Sequence, residues 1–288
     1  MPNILTAIAD IVHHRAFVLP NADPGHTRVN TVGGAFETYC KDRLAGLEPG
    51  NDVARTALYE STFSYQGGAN NPPDAMYRGG NKGDAFEFKK FSGTASRDIP
   101  LNSSPPKDCL RADSYGLAQE SIDCEPWTQR DLFFICGGVP AQSTMLNWIW
   151  IADAHLMAAK QECYHDLHKK LQQSISDIQG LSFSPTKELG RVNELDPRKA
   201  THLRIRAMWT IQAPGKLFED VAGVVHGDAP VLHAILTKAK WDSMPADSRA
   251  RVEALRSTTG FTLKDVLVPS PNNPQDQIQS ILIRYEKI

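Results

Sequence analysis

Asp74, Glu87 and Lys89 fall within the stretch NPPDAMYRGGNKGDAFEFKKF, residues 71–91. Its end alternates as a β-strand does, so Glu87 and Lys89 share one face and Phe86 and Phe88 the other. Glycines at 79, 80 and 83 allow a tight reversal that returns Asp74 beside Glu87. Two carboxylates and an ammonium then meet at one edge. Such a pair of carboxylates suits a hard divalent cation such as Mg²⁺, which takes oxygen ligands and keeps several waters. The cation polarises a phosphate and acidifies a water. A lysine one strand step away holds that water and offsets charge in the transition state. The bland reading is that Asp…Glu-x-Lys arises by chance and that a charged strand face is only solvated. Three features weigh against it. The far face of the strand is apolar, Pro73 fixes the approach to Asp74, and the Gly, Asn and Ser flanks admit a sugar-phosphate backbone.

The elements that must position these groups are legible in part. MPNILTAIADIVHHRAF reads as an amphipathic helix capped by Asn3, with Ile4, Ile8, Ile11 and Val12 on one stripe. A second helix is expected over 34–46, with Phe36, Tyr39, Cys40 and Leu44 facing inward and Glu37 and Lys41 paired beside them. RDLFFICGGV and MLNWIWIADAHLM read as buried strands joined in a hairpin. Trp148, Trp150 and Trp209 are expected in the core. A short helix is expected from Lys107. A long one is expected over 155–179, with Tyr164, Leu167, Leu171, Ile175 and Ile178 in register and Gly180 as its stop. THLRIRAMWTIQAP reads as one strand, 229–240 and 246–257 as helices, and SILIRYEKI as a final strand. The fold class expected is mixed α/β in a single domain.

Composition narrows the class. At 288 residues, 41% apolar and 22% charged, the chain is an ordinary globular protein. It has no apolar run of transmembrane length, so no membrane association is expected, and its N-terminus lacks the pattern of a signal peptide. The cytoplasm is the expected location. Five cysteines without CxxC spacing read as reduced thiols. Cys163, His165 and His168 cluster in sequence but lack a fourth ligand, and on a helix positions two apart do not face each other, so no zinc site is expected there. A net charge of −2 neither announces nor excludes a nucleic-acid partner.

PPD…GDAFEFKK matches the PD-(D/E)xK nuclease signature. More specifically, the chain resembles the NgoPII-type type II restriction endonucleases. The resemblance rests on GGAFETYCKD, FSYQGGANNPPDAM, GDAFEFKK, LNSSPPKDCL, KELGRVNELDP and LRIRAMWTIQAP, in order over about residues 30–220. It implies a PD-(D/E)xK core, a central mixed sheet flanked by helices, in residues 1–225. Residues 226–288 carry no matching block and read as a C-terminal extension packed on the same domain. The resemblance further implies a Mg²⁺ cofactor, a homodimer on double-stranded DNA, a GGCC site, and a cognate methyltransferase as a separate protein. It assigns Asp74 and Glu87 to the metal and Lys89 to the catalytic lysine. Glu37 lies where an acidic residue on the preceding helix often joins such a site, or it only pairs with Lys41.

For DNA contact the sequence offers Asn102, Ser103, Ser104, Lys107 and Arg111 just after the catalytic strand, and Lys187, Arg191, Asn193, Arg204 and Arg206 further on. Hydroxyl and amide side chains bond phosphates, and arginine or lysine reads guanine. The bland alternative for the basic residues is ion pairing with Glu188, Glu194 and Asp196. The expected function is sequence-specific, Mg²⁺-dependent double-strand cleavage leaving 5′-phosphate and 3′-hydroxyl ends. The alternatives are a repair or structure-selective nuclease, or a DNA-binding protein that does not cut.

Overall fold

The computed structural model describes residues 2–20, 29–67, 71–93, 98–186, 188–223 and 229–288. The chain opens with helices α1 (Ile4–His13), α2 (Val29–Ala45) and α3 (Arg55–Thr62). Strands β1 (Phe63–Gln66), β2 (Ala75–Tyr77), β3 (Ala85–Ser92), β4 (Ile99–Asn102) and β5 (Cys109–Arg111) follow, then the short α4 (Gln119–Asp123). Next come β6 (Gln129–Val139), β7 (Trp148–Asp153), α5 (Gln161–Ser176), β8 (Ser182–Pro185), β9 (Leu189–Asn193), β10 (Leu203–Arg206) and β11 (Trp209–Ile211). The last part holds the short α6 (Pro214–Leu217) and α7 (Glu219–Ala222), then β12 (Val231–Thr237), α8 (Lys238–Ser243), α9 (Ala246–Ala254), β13 (Phe261–Pro269) and β14 (Gln277–Glu286).

Nine strands make one mixed sheet, in the order β1-β2-β3-β6-β7-β12-β14-β13, with β5 paired to β6 off that path. The β3–β6 and β7–β12 pairs are parallel and the others antiparallel. Period-2 alternation divides the apolar residues between two cores. Phe86, Phe88, Phe133, Ile135, Ile149 and Ile151 pack with the buried faces of α1 and α2 and with Trp241 and Val252. Ala85, Phe91, Leu132, Phe134, Trp148 and Trp150 pack on the other face against Leu110, Ile211 and Phe218. At Gly137 of β6 a side chain would collide with the Phe36 ring, so its absence lets α2 lie close to the sheet.

The first two helices form, the second starting at Val29, before the expected residue 34. The Asn3 side chain accepts the N–H groups of Leu5 and Thr6, and Thr6 Oγ1 accepts the Asn3 N–H. Phe36, Tyr39, Cys40 and Leu44 are buried. The β6–β7 hairpin and the α9 helix also form.

Elsewhere the expectations need correction. Residues 229–240 hold a strand, β12, before the short α8. Val231–Leu236 is a largely apolar run buried on both faces between β7 and β14, and such a run has no period to separate strand from helix. The residues after 225 therefore supply β12, β13 and β14 to the central sheet, and do not merely pack upon it. The helix expected from Lys107 is β5, held by its register on β6. The strand expected through 203–211 breaks at Ala207 and Met208 into β10, paired with β9, and β11, paired with β4. The long helix is shortened to α5, and its stripe is not a core stripe, since Leu167 and Leu171 are exposed. That helix packs instead beside the small sheet β10-β9-β8.

Candidate active site

The β2–β3 hairpin carries the chemical groups. Ala75 pairs with Phe86 and Met76 with Ala85. Beyond the ladder the Asp74 N–H donates to the Phe86 carbonyl at 2.9 Å. Asp74 Oδ2 accepts the Phe88 N–H at 2.6 Å. Asp74 is thus fastened to β3 on both sides of Glu87. The turn between the strands uses Gly79 at φ 134° and Gly80 at φ 57°, backbone that favours glycine. At Gly83 a side chain would run into the Tyr77 carbonyl. Phe86 and Phe88 lie in the core, so the strand is anchored on the face opposite Glu87 and Lys89.

Lys89 Nζ donates to Glu87 Oε1 at 2.6 Å. Glu87 is buried, and its other oxygen, Oε2, has no hydrogen-bond partner among the described residues. Burial first, and then the Glu87 charge, push the Asp74 carboxyl up to about 7, against the pull of Lys89 and the Phe88 N–H. Burial works to lower Lys89, but the charges of Glu87 and Asp74 outweigh it and hold the ammonium above the ordinary lysine value. Two anions crowded about one cation leave this site short of positive charge.

Glu37 sits on α2. Its Oε1 accepts from Lys41 Nζ at 2.6 Å, and its charge also raises Asp74. The residues proposed for DNA contact are spread more widely. Lys107 is buried, not displayed, and donates to Ser104 Oγ at 2.6 Å and the Pro105 carbonyl at 3.2 Å. It lines a small cavity with Glu87, Ser104 and Pro105. Burial lowers its ammonium to about 8, with Glu87 opposing. Asn102 ends β4 at φ 51°. Arg111 reaches Glu162 at 3.4 Å and lines, with Ser103, a separate cavity of about 630 Å³. Lys187 lies outside the described residues. Arg191 faces Arg204 across the β9–β10 ladder, and Asn193 donates to Ser184 Oγ at 3.0 Å. Arg204 and Arg206 both pair with Glu188 Oε2, at 2.6 and 3.1 Å.

Two features escaped the sequence reading. Arg130, 1% exposed, braces the hairpin turn: it donates to the Tyr77 carbonyl at 2.6 Å and pairs with Glu125. Glu125 in turn accepts the Gly79 and Gly80 N–H groups, each at 3.2 Å. Only RDLFF as a buried strand beginning with arginine hinted at this. Trp209 corrects the expectation that all three tryptophans are core. Trp148 and Trp150 are buried, whereas Trp209 is half-buried and lines the 630 Å³ cavity edge-on to Tyr164.

The comparisons with known proteins agree with one another. A family model described as NgoPII restriction endonuclease matches residues 2–269. The type II restriction enzyme NgoPII of Neisseria gonorrhoeae is 32% identical over 283 residues, covering 98% of this chain and 99% of that protein. No solved structure gives a significant match. A mixed sheet presenting two carboxylates and a lysine, in a chain with these relatives, defines the class as type II restriction endonuclease, a site-specific deoxyribonuclease. Within that class the chain belongs to the NgoPII restriction endonuclease family. No helix among the described residues is long and apolar enough to cross a membrane.

Proposed function

We propose that the chain is a Mg²⁺-dependent endonuclease of the PD-(D/E)xK kind, with Asp74 and Glu87 as metal carboxylates and Lys89 as the catalytic lysine. The observation that carries this reading is Glu87 Oε2, buried without a partner among the described residues, beside an Asp74 whose ionisation is already disfavoured. A hard divalent cation satisfies both groups. When bound there, it supplies the positive charge that polarises a phosphate and acidifies a water.

The chain's own residues do the rest. The Phe88 N–H holds the Asp74 carboxylate in place through Oδ2. Lys89 presents its ammonium on the Glu87 face, where it donates to an attacking water and offsets charge gathering on the phosphate. The water attacks phosphorus opposite the 3′ oxygen. A new P–O bond forms as the water gives up a proton to solvent, the bond to the 3′ oxygen breaks and that oxygen takes up a proton, and 5′-phosphate and 3′-hydroxyl ends result. Glu37 adds negative charge from α2, shared with Lys41.

The substrate is double-stranded DNA at a short GC-rich palindrome, GGCC by resemblance to the family. A homodimer presents one site to each strand. Arg191, Arg204 and Arg206 supply cations of the type that reads guanine, and Asn102, Ser103, Ser104 and Arg111 supply donors beside the catalytic strand. Enzymes of this kind act in the cytoplasm beside a separate methyltransferase that protects the host site. Digestion of genomic DNA with Mg²⁺, followed by sequencing of the fragment ends, tests this. Ends confined to one GC-only palindrome support it. Ends scattered through the sequence, or cutting of branched DNA alone, favour a structure-selective nuclease instead.

A further inference from the structure

A second group of metal-binding side chains converges away from Asp74 and Glu87. Asp108, Cys109 and His155 each place a ligand atom within 4.8 Å of the other two. Asp108 Oδ1 stands 3.7 Å from Cys109 Sγ. With zinc–sulfur and zinc–oxygen bonds of about 2.3 and 2.0 Å, the edge of a tetrahedral site is about 3.5 Å, so this pair needs almost no movement.

The backbone fixes all three. Cys109 pairs with Asp131 where β5 joins β6. His155 lies in a 3-10 turn, Ala154–Leu156, that follows β7. Asp153 supports His155 from behind. It is fully buried, its Oδ1 accepts the His155 backbone N–H at 3.0 Å, and the same oxygen lies 3.0 Å from His155 Nδ1. Its Oδ2 accepts the Thr237 N–H at 3.1 Å and the Thr237 hydroxyl at 3.0 Å. A carboxylate on Nδ1 makes that nitrogen the donor and, with Cys109, favours the protonated ring, so Nε2 offers its lone pair once it has given up its proton. This is the arrangement that orients a metal-bound histidine.

Access suits a site with one open position. Cys109 is 1% exposed, while Asp108 and His155 line an open cavity of about 780 Å³. The thiol lies at the back, the carboxylate and imidazole lie at the wall, and a fourth ligand enters from solvent. Sulfur decides the class of cation, because thiolate with imidazole selects zinc-type ions over Mg²⁺.

We propose that Asp108, Cys109 and His155 form a second metal site, for a zinc-type divalent cation, positioned by Asp153 and separate from the catalytic carboxylates. Binding displaces the thiol proton and the proton on His155 Nε2, and both leave to solvent. The consequence reaches the active site through the chain. Lys107, which shares a cavity with Glu87, immediately precedes Asp108. A cation here fastens the segment from Ser104 to Arg111 to the end of β7.

The test uses the whole protein, stripped with a chelator, saturated with Mg²⁺ and titrated with Co²⁺. The expected result is one equivalent of cobalt bound with a thiolate-to-cobalt charge-transfer band, and loss of that band when Zn²⁺ is added. Cys109→Ala abolishes the band, while Cys163→Ala, at the exposed thiol of α5, leaves it intact. Asp153→Asn weakens cobalt binding about 10- to 100-fold. No band in the unaltered protein overturns the proposal, whatever the folding of the variants. A band that survives Cys109→Ala overturns the assignment of these residues.

Discussion

Replacing Asp74 by asparagine is expected to stabilise the metal-free protein while removing its response to Mg²⁺. In the fold, burial and the Glu87 charge raise the Asp74 carboxyl from 3.8 to about 7. Between those values the folded chain holds a proton that the unfolded chain has released. Stability contributed by this group is therefore fully present at low pH, falls as pH rises through that window, and is fully lost above about 7. The rise corresponds to at most about 4 kcal/mol. An asparagine keeps a carbonyl oxygen for the Phe88 N–H but buries an amide group that loses its water, which leaves a net gain of about 2 kcal/mol at pH 8. Urea denaturation in EDTA should show the Asp74→Asn variant more stable by that amount at pH 8, with the gap closing toward pH 4. Mg²⁺ should then raise the midpoint of the unaltered protein alone, because only a ligand that binds the native state stabilises it. A variant less stable than its parent in EDTA at pH 8, or stabilised equally by Mg²⁺, would show that Asp74 is neither a burdened carboxylate nor a metal ligand.

Three further outcomes follow from other parts of the structure. His233 stacks on Trp150 at 4.5 Å with neither ring nitrogen hydrogen-bonded among the described residues, and burial, aided by Arg284, lowers it to about 3. Its contribution is present above 6.5 and is lost as pH falls toward 3, so His233→Leu should recover about 3 kcal/mol at pH 4 relative to pH 7, read by denaturation at the two values. Arg130→Met leaves Glu125 and the Tyr77 carbonyl without their cation. It should cost about 3–5 kcal/mol in a denaturant titration and disorder the hairpin that carries Asp74. Glu188→Gln frees both Arg204 and Arg206, so DNA binding measured by fluorescence anisotropy should tighten and its salt dependence steepen; unchanged affinity places these arginines away from the DNA.

The β3 strand was legible because its signals agree. Alternation put Phe86 and Phe88 in one core, and the same alternation carried Glu87 and Lys89 to the other face. The return of Asp74 followed from glycines that the turn requires. What the sequence left dark depends on long-range partners. Val231–Leu236 is apolar at every position except His233, and only its place between β7 and β14 makes it a strand. The stripe on α5 has helical spacing and does form a helix, but periodicity does not say what covers it. Lys107 reads as a surface cation until its segment folds inward toward Glu87. Arg130 and Glu125 are five residues apart, yet their common task, bracing a turn near residue 80, is visible only in three dimensions.

The most direct test of the catalytic assignment is plasmid cleavage by Glu87→Ala beside the unaltered enzyme, each with Mg²⁺ and with EDTA, with DNA binding measured on the same preparations. The unaltered enzyme should give discrete fragments with Mg²⁺ alone. The variant should give none, while its DNA binding stays within about threefold of the parent. Normal cutting by Glu87→Ala, or cutting by the unaltered enzyme in EDTA, would contradict that assignment.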